Sequence, residues 1–212
     1  MADDLKYGYK GADVPQSFGN NKGVFDPADI NNLIADNKWT TFGQLELIET
    51  QTITSDTLVE FDLTGNYNVY FLTFSDVKLI DTKELLLRFS DDGGITFEAS
   101  SYQYASQRGD SAGNFSEVKS TSNAHILGIS GNGASTNETQ NGYMYFYNML
   151  DSSKYGFCTW HSKGFDSAGQ SEFHFGSGVR NVAVTYNAIQ FKDSGGSGVQ
   201  QGDFSLYGIA ES

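Results

Sequence analysis

From Leu45 onward, apolar and polar residues alternate along the chain with a period of two. This period is typical of β-strands that bury one face. The alternation is clearest in residues 45–48, 59–63, 67–74 and 85–89, and residues 69–74 are apolar on both faces, so we expect that strand to be central or covered. Further strands are predicted at residues 96–104, 125–130, 143–150, 157–161, 172–175, 182–186, 188–192 and 204–208.

Clusters of glycine, asparagine, aspartate and serine separate these stretches, and they are the residues that tight turns require. No helical pattern lies between the predicted strands, which argues against a parallel sheet built from βαβ units. Two longer polar stretches, residues 106–123 and 131–141, are predicted to be extended loops. The pattern therefore predicts an all-β protein, an antiparallel β-sandwich or barrel.

The first 43 residues follow a different pattern. Residues 1–23 are polar and glycine-rich, and we interpret them as an extended N-terminal arm. A short helix is predicted next, because Pro27 suits the first helical position and Ile30, Leu33 and Ile34 share one apolar face. We therefore divide the chain into an anchoring segment, residues 1–43, and a β-sandwich domain, residues 44–212. The residues expected to anchor the first segment are Phe18, Phe25, Ile30, Leu33 and Trp39.

Composition narrows the classes of partner. Thirteen basic and 26 acidic residues give a net charge of 13 − 26 = −13, which disfavours nucleic acid and anionic membranes as partners. No apolar run is long enough for a membrane span. The first residues lack a basic-then-apolar signal pattern, so we expect synthesis and folding in a cytoplasm. The single cysteine, Cys158, is predicted to be a small core residue.

Candidate catalytic and metal-binding residues are few, and we assign no catalytic, cofactor-binding or metal-ligating residue. The three histidines, His125, His161 and His174, lack cysteines or carboxylates at ligand spacing, so we interpret them as residues with ordinary hydrogen bonds. A Ser–His–Asp arrangement is not excluded by residue order, because serine and aspartate are abundant. Residues 110–114 and 166–170 resemble one another and carry oxygen ligands, but neither matches an EF-hand loop, which favours solvated turns over bound calcium.

Residues 90–97, Ser-Asp-Asp-Gly-Gly-Ile-Thr-Phe, fit the Asp-box of sialidase-like propellers. The box appears once here, and the chain is too short for a six-bladed propeller. We therefore interpret it as a β-hairpin in which Asp92 binds the turn backbone and Gly93 and Gly94 supply positive φ angles.

Dense aromatic clusters suggest a sugar-binding platform, in which rings stack on sugar faces and amides hold hydroxyl groups. The competing interpretation is that alternating rings fill the core of the sandwich, which must hold for part of the set. The aromatic residues predicted as ligand contacts are Tyr102, Tyr104, Tyr143, Tyr145 and Trp160.

Several motifs together resemble a known group of proteins. Gly23-Val24-Phe25-Asp26 precedes Leu33 and Trp39, and a Tyr-x-Val-Tyr-x-x-x-Phe strand follows at residues 67–74. Residues 85–97 and 202–209 complete the pattern. This pattern resembles small structural proteins of tailed bacteriophages, especially those of marine and cyanobacterial hosts. The resemblance implies a jelly-roll-like sandwich, a homotrimer, other virion proteins as partners and a place on the virion surface.

The function expected from this resemblance is that of a non-catalytic virion structural protein. A tail-fibre knob or an appendage that binds a glycan of the host surface is the first hypothesis. A capsid decoration protein is the second, and it differs in location and copy number. A polysaccharide-degrading enzyme on a sandwich scaffold and a free carbohydrate-binding module remain open alternatives.

Overall fold

The structure is a computed structural model that describes residues 27–36, 45–55, 57–79, 83–129, 135–195 and 198–210. Residues 45–210 form one unit and the rest of the chain another, and each is described by itself. The secondary-structure elements are α1 Pro27–Ala35, β1 Leu45–Ile53, β2 Val59–Asp62, β3 Val69–Leu79, β4 Leu85–Ser90, β5 Tyr102–Asp110, β6 Phe115–Asn123, β7 Ile126–Ile129, β8 Gln140–Tyr147, β9 Tyr155–Phe165, β10 Ser171–Ala183, β11 Ala188–Asp193 and β12 Val199–Ile209.

The short helix predicted near the N-terminus is confirmed as α1, which begins at Pro27. A proline at this position has its φ angle already fixed for a helix and loses no hydrogen bond there. Of the three residues predicted to form its apolar face, Ile30 and Leu33 are half-buried, whereas Ile34 is exposed, so the prediction is corrected for Ile34. The predicted arm and the predicted anchors Phe18, Phe25 and Trp39 lie outside the described residues.

All strand pairs of the second unit are antiparallel, and they form two sheets. The larger sheet has the order β1-β12-β3-β8-β9-β10-β5-β6, and the smaller has the order β2-β11-β4-β7. Rings of the two sheets meet in the core, since Phe89 lies 6.4 Å from Phe146 and Phe191 lies 5.7 Å from Phe204 between centroids. The predicted antiparallel β-sandwich is therefore confirmed.

The pairing is nested like a folded hairpin. Strand β1 pairs with β12, β2 with β11, β3 with β8, and β4 with β7. Nested pairs distributed between two four-stranded sheets are the jelly-roll arrangement. Two hairpins, β5–β6 and β9–β10, extend the larger sheet beyond the four strands of the jelly roll. Strand β3, predicted to be central, lies between β12 and β8.

The loop after β4 has the predicted Asp-box bonds. The Asp92 carboxylate accepts the backbone N–H of Thr96 at 2.8 Å, and Gly93 and Gly94 have φ angles of 77° and 80°. The loop is also held by Arg180, which is buried and donates to Glu98 at 2.8 Å. The interpretation as a β-hairpin is corrected, because no strand follows the turn directly and β5 begins only at Tyr102.

Two other predictions of local structure are corrected. Residues 106–123, predicted to be a loop, are mostly the hairpin of β5 and β6. The strands predicted at residues 172–175 and 182–186 are replaced by the single long strand β10. The hairpin was missed because most of its residues are polar, so composition favoured a loop although the backbone of β5 pairs with β10.

Candidate binding surface

The face of the larger sheet that points away from the smaller sheet carries an unusual density of exposed rings, and we call it the outer face. Side chains alternate between the two faces of a strand, so the residues on either side of each core residue point to the outer face. Eleven large hydrophobic side chains are exposed among the described residues, and eight of them lie here. These eight are Leu45, Leu47, Phe115, Tyr143, Tyr155, Phe157, Phe165 and Phe175. Exposed apolar patches of this kind mark interaction sites in soluble proteins.

One group of rings crosses strands β12, β3 and β8. Phe71 lies 4.7 Å from Tyr145, 6.0 Å from Tyr143 and 6.2 Å from Tyr207 between ring centroids. Tyr145 in turn stacks on Tyr147 at 6.3 Å. We call these five residues the tyrosine ridge; its rings support one another while one side stays open to solvent.

A second group of rings lies on the added hairpins. Phe173 stacks on Phe175 at 6.0 Å and contacts Phe115 at 6.2 Å. Gly109 lies beneath them, since a Cβ at that position would be 2.7 Å from Phe173 and 2.8 Å from Phe115. We call these three phenylalanines the phenylalanine ridge, and glycine is the residue that lets it lie flat on β5.

Between the rings, a trough crosses the sheet at right angles to its strands. The register aligns Thr159, Ser177 and Ala105 on β9, β10 and β5, and these small side chains form the floor. The row continues to Tyr145 at one end and to Lys119 at the other. Three hollows of about 460, 470 and 360 Å³ share lining residues along this line. Each is within the size range of small-molecule sites.

The walls of the trough are the adjacent rows of the same face. Phe157 and Val179 face each other in register on one side, and His161 and Phe175 do so on the other. The His161 ring also contacts Tyr143 at 5.8 Å. Polar groups are interspersed: the Thr159 hydroxyl lies 3.5 Å from that of Tyr147, and Lys119 pairs with Glu117 at 2.7 Å. The trough thus combines ring faces with neutral hydroxyl groups.

The five aromatic residues predicted as ligand contacts divide between the two faces. Tyr143 and Tyr145 lie on the outer face. Tyr102 and Trp160 are buried on the core side, and Tyr104 is half-buried against the core. The strands therefore direct the side chains of these three residues towards the core and not onto the outer face.

The outer face also contains residues that sequence reasoning did not single out as ligand contacts. Phe175, His161 and the small residues of the trough floor are the main examples. Alternation in the sequence places Phe157, Thr159 and His161 on one face of a strand. It does not say whether that face is covered, which depends on the register with distant strands.

The predicted core role of Cys158 is confirmed. Its side chain is buried in the hydrophobic core between the sheets. Burial raises the pKa of the thiol to about 12, so the thiol stays protonated and is a poor nucleophile.

The core side of β10 and β5 carries a buried polar cluster. His174 Nε2 lies 2.6 Å from the Ser106 hydroxyl oxygen, and that hydroxyl donates to the Val118 carbonyl at 3.0 Å. Because the single hydroxyl proton is used on Val118, the imidazole donates to Ser106 and does not act as its base. This Ser–His contact therefore lacks the geometry of an activated nucleophile.

Titration in this cluster is shifted by burial. Burial raises the pKa of Glu172 to about 7, although Arg108 at 3.9 Å opposes the shift. Burial lowers the pKa of His174 to about 4, and Arg108 adds to this effect. Burial also lowers the pKa of the half-buried His125. No group of three or more metal-ligating side chains occurs among the residues that the structure describes.

The two similar segments at residues 110–114 and 166–170 are matching hairpin turns. Asp110 Oδ1 accepts the N–H groups of Ala112 and Asn114 at 2.9 and 3.0 Å. Asp166 Oδ1 accepts those of Ala168 and Gln170 at 2.9 and 2.8 Å. Their resemblance in sequence thus reflects one turn chemistry used twice, with each carboxylate binding its own backbone.

No protein-family model, curated protein or solved structure matches this chain. Among the described residues, no helix has the length and apolar character that a membrane span requires.

Proposed function

We propose that this chain is a non-catalytic structural and binding protein of a bacteriophage virion, a tail-fibre knob or host-surface appendage. The observation that carries the proposal is the concentration of exposed rings on the outer face of the larger sheet. These rings do not fill the core, because the core lies on the other side of the same strands. An exposed aromatic surface on a rigid sheet is suited to attachment.

Three further observations support this proposal. The resemblance of residues 23–39, 67–74, 85–97 and 202–209 to phage structural proteins supports a place in the virion. The edge strand β6 pairs only with β5 among the described strands, and a neighbouring subunit of a homotrimer would cover such an edge. An acidic surface keeps an assembling protein away from DNA.

Immunogold labelling of virions with an antibody against this chain tests the proposal. We expect label at the tail tip or fibres, and light scattering of the purified chain should give the mass of a trimer. Label spread over the head, at a copy number comparable to that of capsid subunits, would assign the chain to capsid decoration. Particles without label anywhere would refute a virion protein altogether.

A further inference from the structure

We propose that the trough of the outer face binds a single chain of a neutral polysaccharide, an inference that rests on the proposed role of this face in attachment. The trough is a continuous line of three hollows, in which each hollow shares lining residues with the next. It crosses the strands from β8 to β6, a distance of roughly 19 Å at the usual spacing of strands. This shape fits several consecutive units of a linear polymer.

The side chains of the trough match the two surfaces of a sugar ring. A pyranose has apolar C–H faces, which pack on the electron-rich faces of Phe157, Phe175 and Tyr145. It also has hydroxyl groups at its rim, which require hydrogen-bonding partners when they leave water. Thr159 and Ser177 on the floor supply hydroxyl groups, and Gln107 at the side supplies an amide.

Charge identifies a neutral polymer in preference to an anionic one. Lys119 is the cation that lines the trough, and its ammonium group is paired with Glu117 at 2.7 Å. The chain as a whole carries a net charge of −13, which repels sulfated, phosphorylated or uronate-rich polymers.

The topology argues against a peptide strand as the occupant. Peptide strands add to sheet edges, where backbone groups are free, whereas this trough lies on a face whose backbone groups are bonded within the ladder. In the proposed trimer a neighbouring copy covers the edge strand β6 and not this face, so the trough stays open for another occupant.

Affinity electrophoresis and calorimetry with linear glucan, mannan, xylan and galactan as probes test the proposal, with alginate as an anionic polymer. We expect binding to at least one neutral polymer and none to alginate. Phe175→Ala should weaken binding about ten-fold through loss of one ring contact. Ser177→Trp should abolish binding, because it fills the floor of the trough without removing a ring. Tryptophan suits an exposed strand position, so this variant should fold.

Ile95→Ala is the matched control, since Ile95 is an exposed hydrophobic residue outside the outer face. It should bind like the unmodified chain, and the melting temperatures of all three variants should agree. Binding that Ser177→Trp leaves intact, or no binding to any neutral polymer at millimolar sugar, would overturn the inference. So would self-association that Ser177→Trp abolishes, which would assign the face to a second copy. None of these outcomes changes the result expected from immunogold labelling of virions, so the virion proposal is tested separately.

Discussion

The hydroxyl group of Tyr102 completes the hydrogen bonding of a strand that is longer than its neighbour. Strand β7 pairs with β4 only from Leu85 to Leu87, so Phe89 extends beyond it. The Phe89 N–H donates to the Tyr102 oxygen at 2.7 Å, and the Phe89 carbonyl accepts the Glu98 N–H at 2.9 Å. A buried phenol thus replaces a missing strand partner.

Tyr102→Phe should destabilise the protein by about 1–3 kcal/mol, because it leaves the buried N–H of Phe89 without a partner. Urea unfolding at neutral pH measures the loss. Tyr104→Phe is the control, because Tyr104 is half-buried and its hydroxyl accepts a long hydrogen bond of 3.4 Å from the Asn123 amide. Loss of this hydroxyl should cost less than about 1 kcal/mol of stability. Equal losses in the two variants would contradict this role for Tyr102.

The sequence predicts that Tyr102 and Tyr104 lie on the same face of a strand, but it does not predict what covers that face. Residues two apart on a strand share a face, so these two tyrosines were correctly grouped. Whether that face meets ligand or core depends on β4 and β7, which cover it from elsewhere in the chain. Phenol rings suit both environments, so residue type could not decide between them.

At the scale of elements, local turn chemistry was more predictable than strand location. The Asp92, Asp110 and Asp166 turns depend on a carboxylate and the next few backbone N–H groups, all of which the sequence places side by side. Strand β6 has no such local signal, since all its residues except Phe115 and Val118 are polar, and its pairing with β5 supplies the order. Polar strands at the edge of a sheet are therefore easily mistaken for loops.

The core side of β10 carries two groups whose titrations oppose one another. Glu172 has a raised pKa of about 7, so its contribution to stability is full below its unfolded pKa of 4.5 and is lost as pH rises to about 7. His174 has a lowered pKa of about 4, so its contribution is full above 6.5 and is lost as pH falls to about 4. Between pH 4.5 and 6.5 the two effects largely cancel.

In Glu172→Gln only the titration of His174 remains, so the free energy of unfolding of this variant should rise with pH between 4 and 6.5. In His174→Gln only the titration of Glu172 remains, so the free energy of unfolding should fall as pH rises from 4.5 to 7. Each difference from the unmodified chain has a limiting slope of about 1.4 kcal/mol per pH unit for one proton. Urea unfolding across pH 4–8 measures both curves, and curves parallel to that of the unmodified chain would contradict the assigned shifts.

At the scale of the whole molecule, the jelly roll joins segments that are far apart in sequence. Thr50 on β1 pairs with Ser205 on β12, and their hydroxyl oxygens lie 3.1 Å apart. Alternation predicts that both segments are strands, but nothing local specifies their pairing. The class of fold could thus be predicted from the sequence, whereas the nested order and the outer face could not. The trough depends on that order, because its floor comes from β9, β10 and β5.

The assignment of one sheet face to the core and the other to binding predicts opposite effects for adjacent residues of β8. Met144 is fully buried, so Met144→Ala should cost about 2–5 kcal/mol through lost burial and a cavity. Tyr143 is 40% exposed on the outer face, so Tyr143→Ala should cost less than about 1 kcal/mol while it weakens attachment. Urea unfolding and polysaccharide binding separate the two effects, and a large loss of stability in Tyr143→Ala would show that the outer face supports the fold.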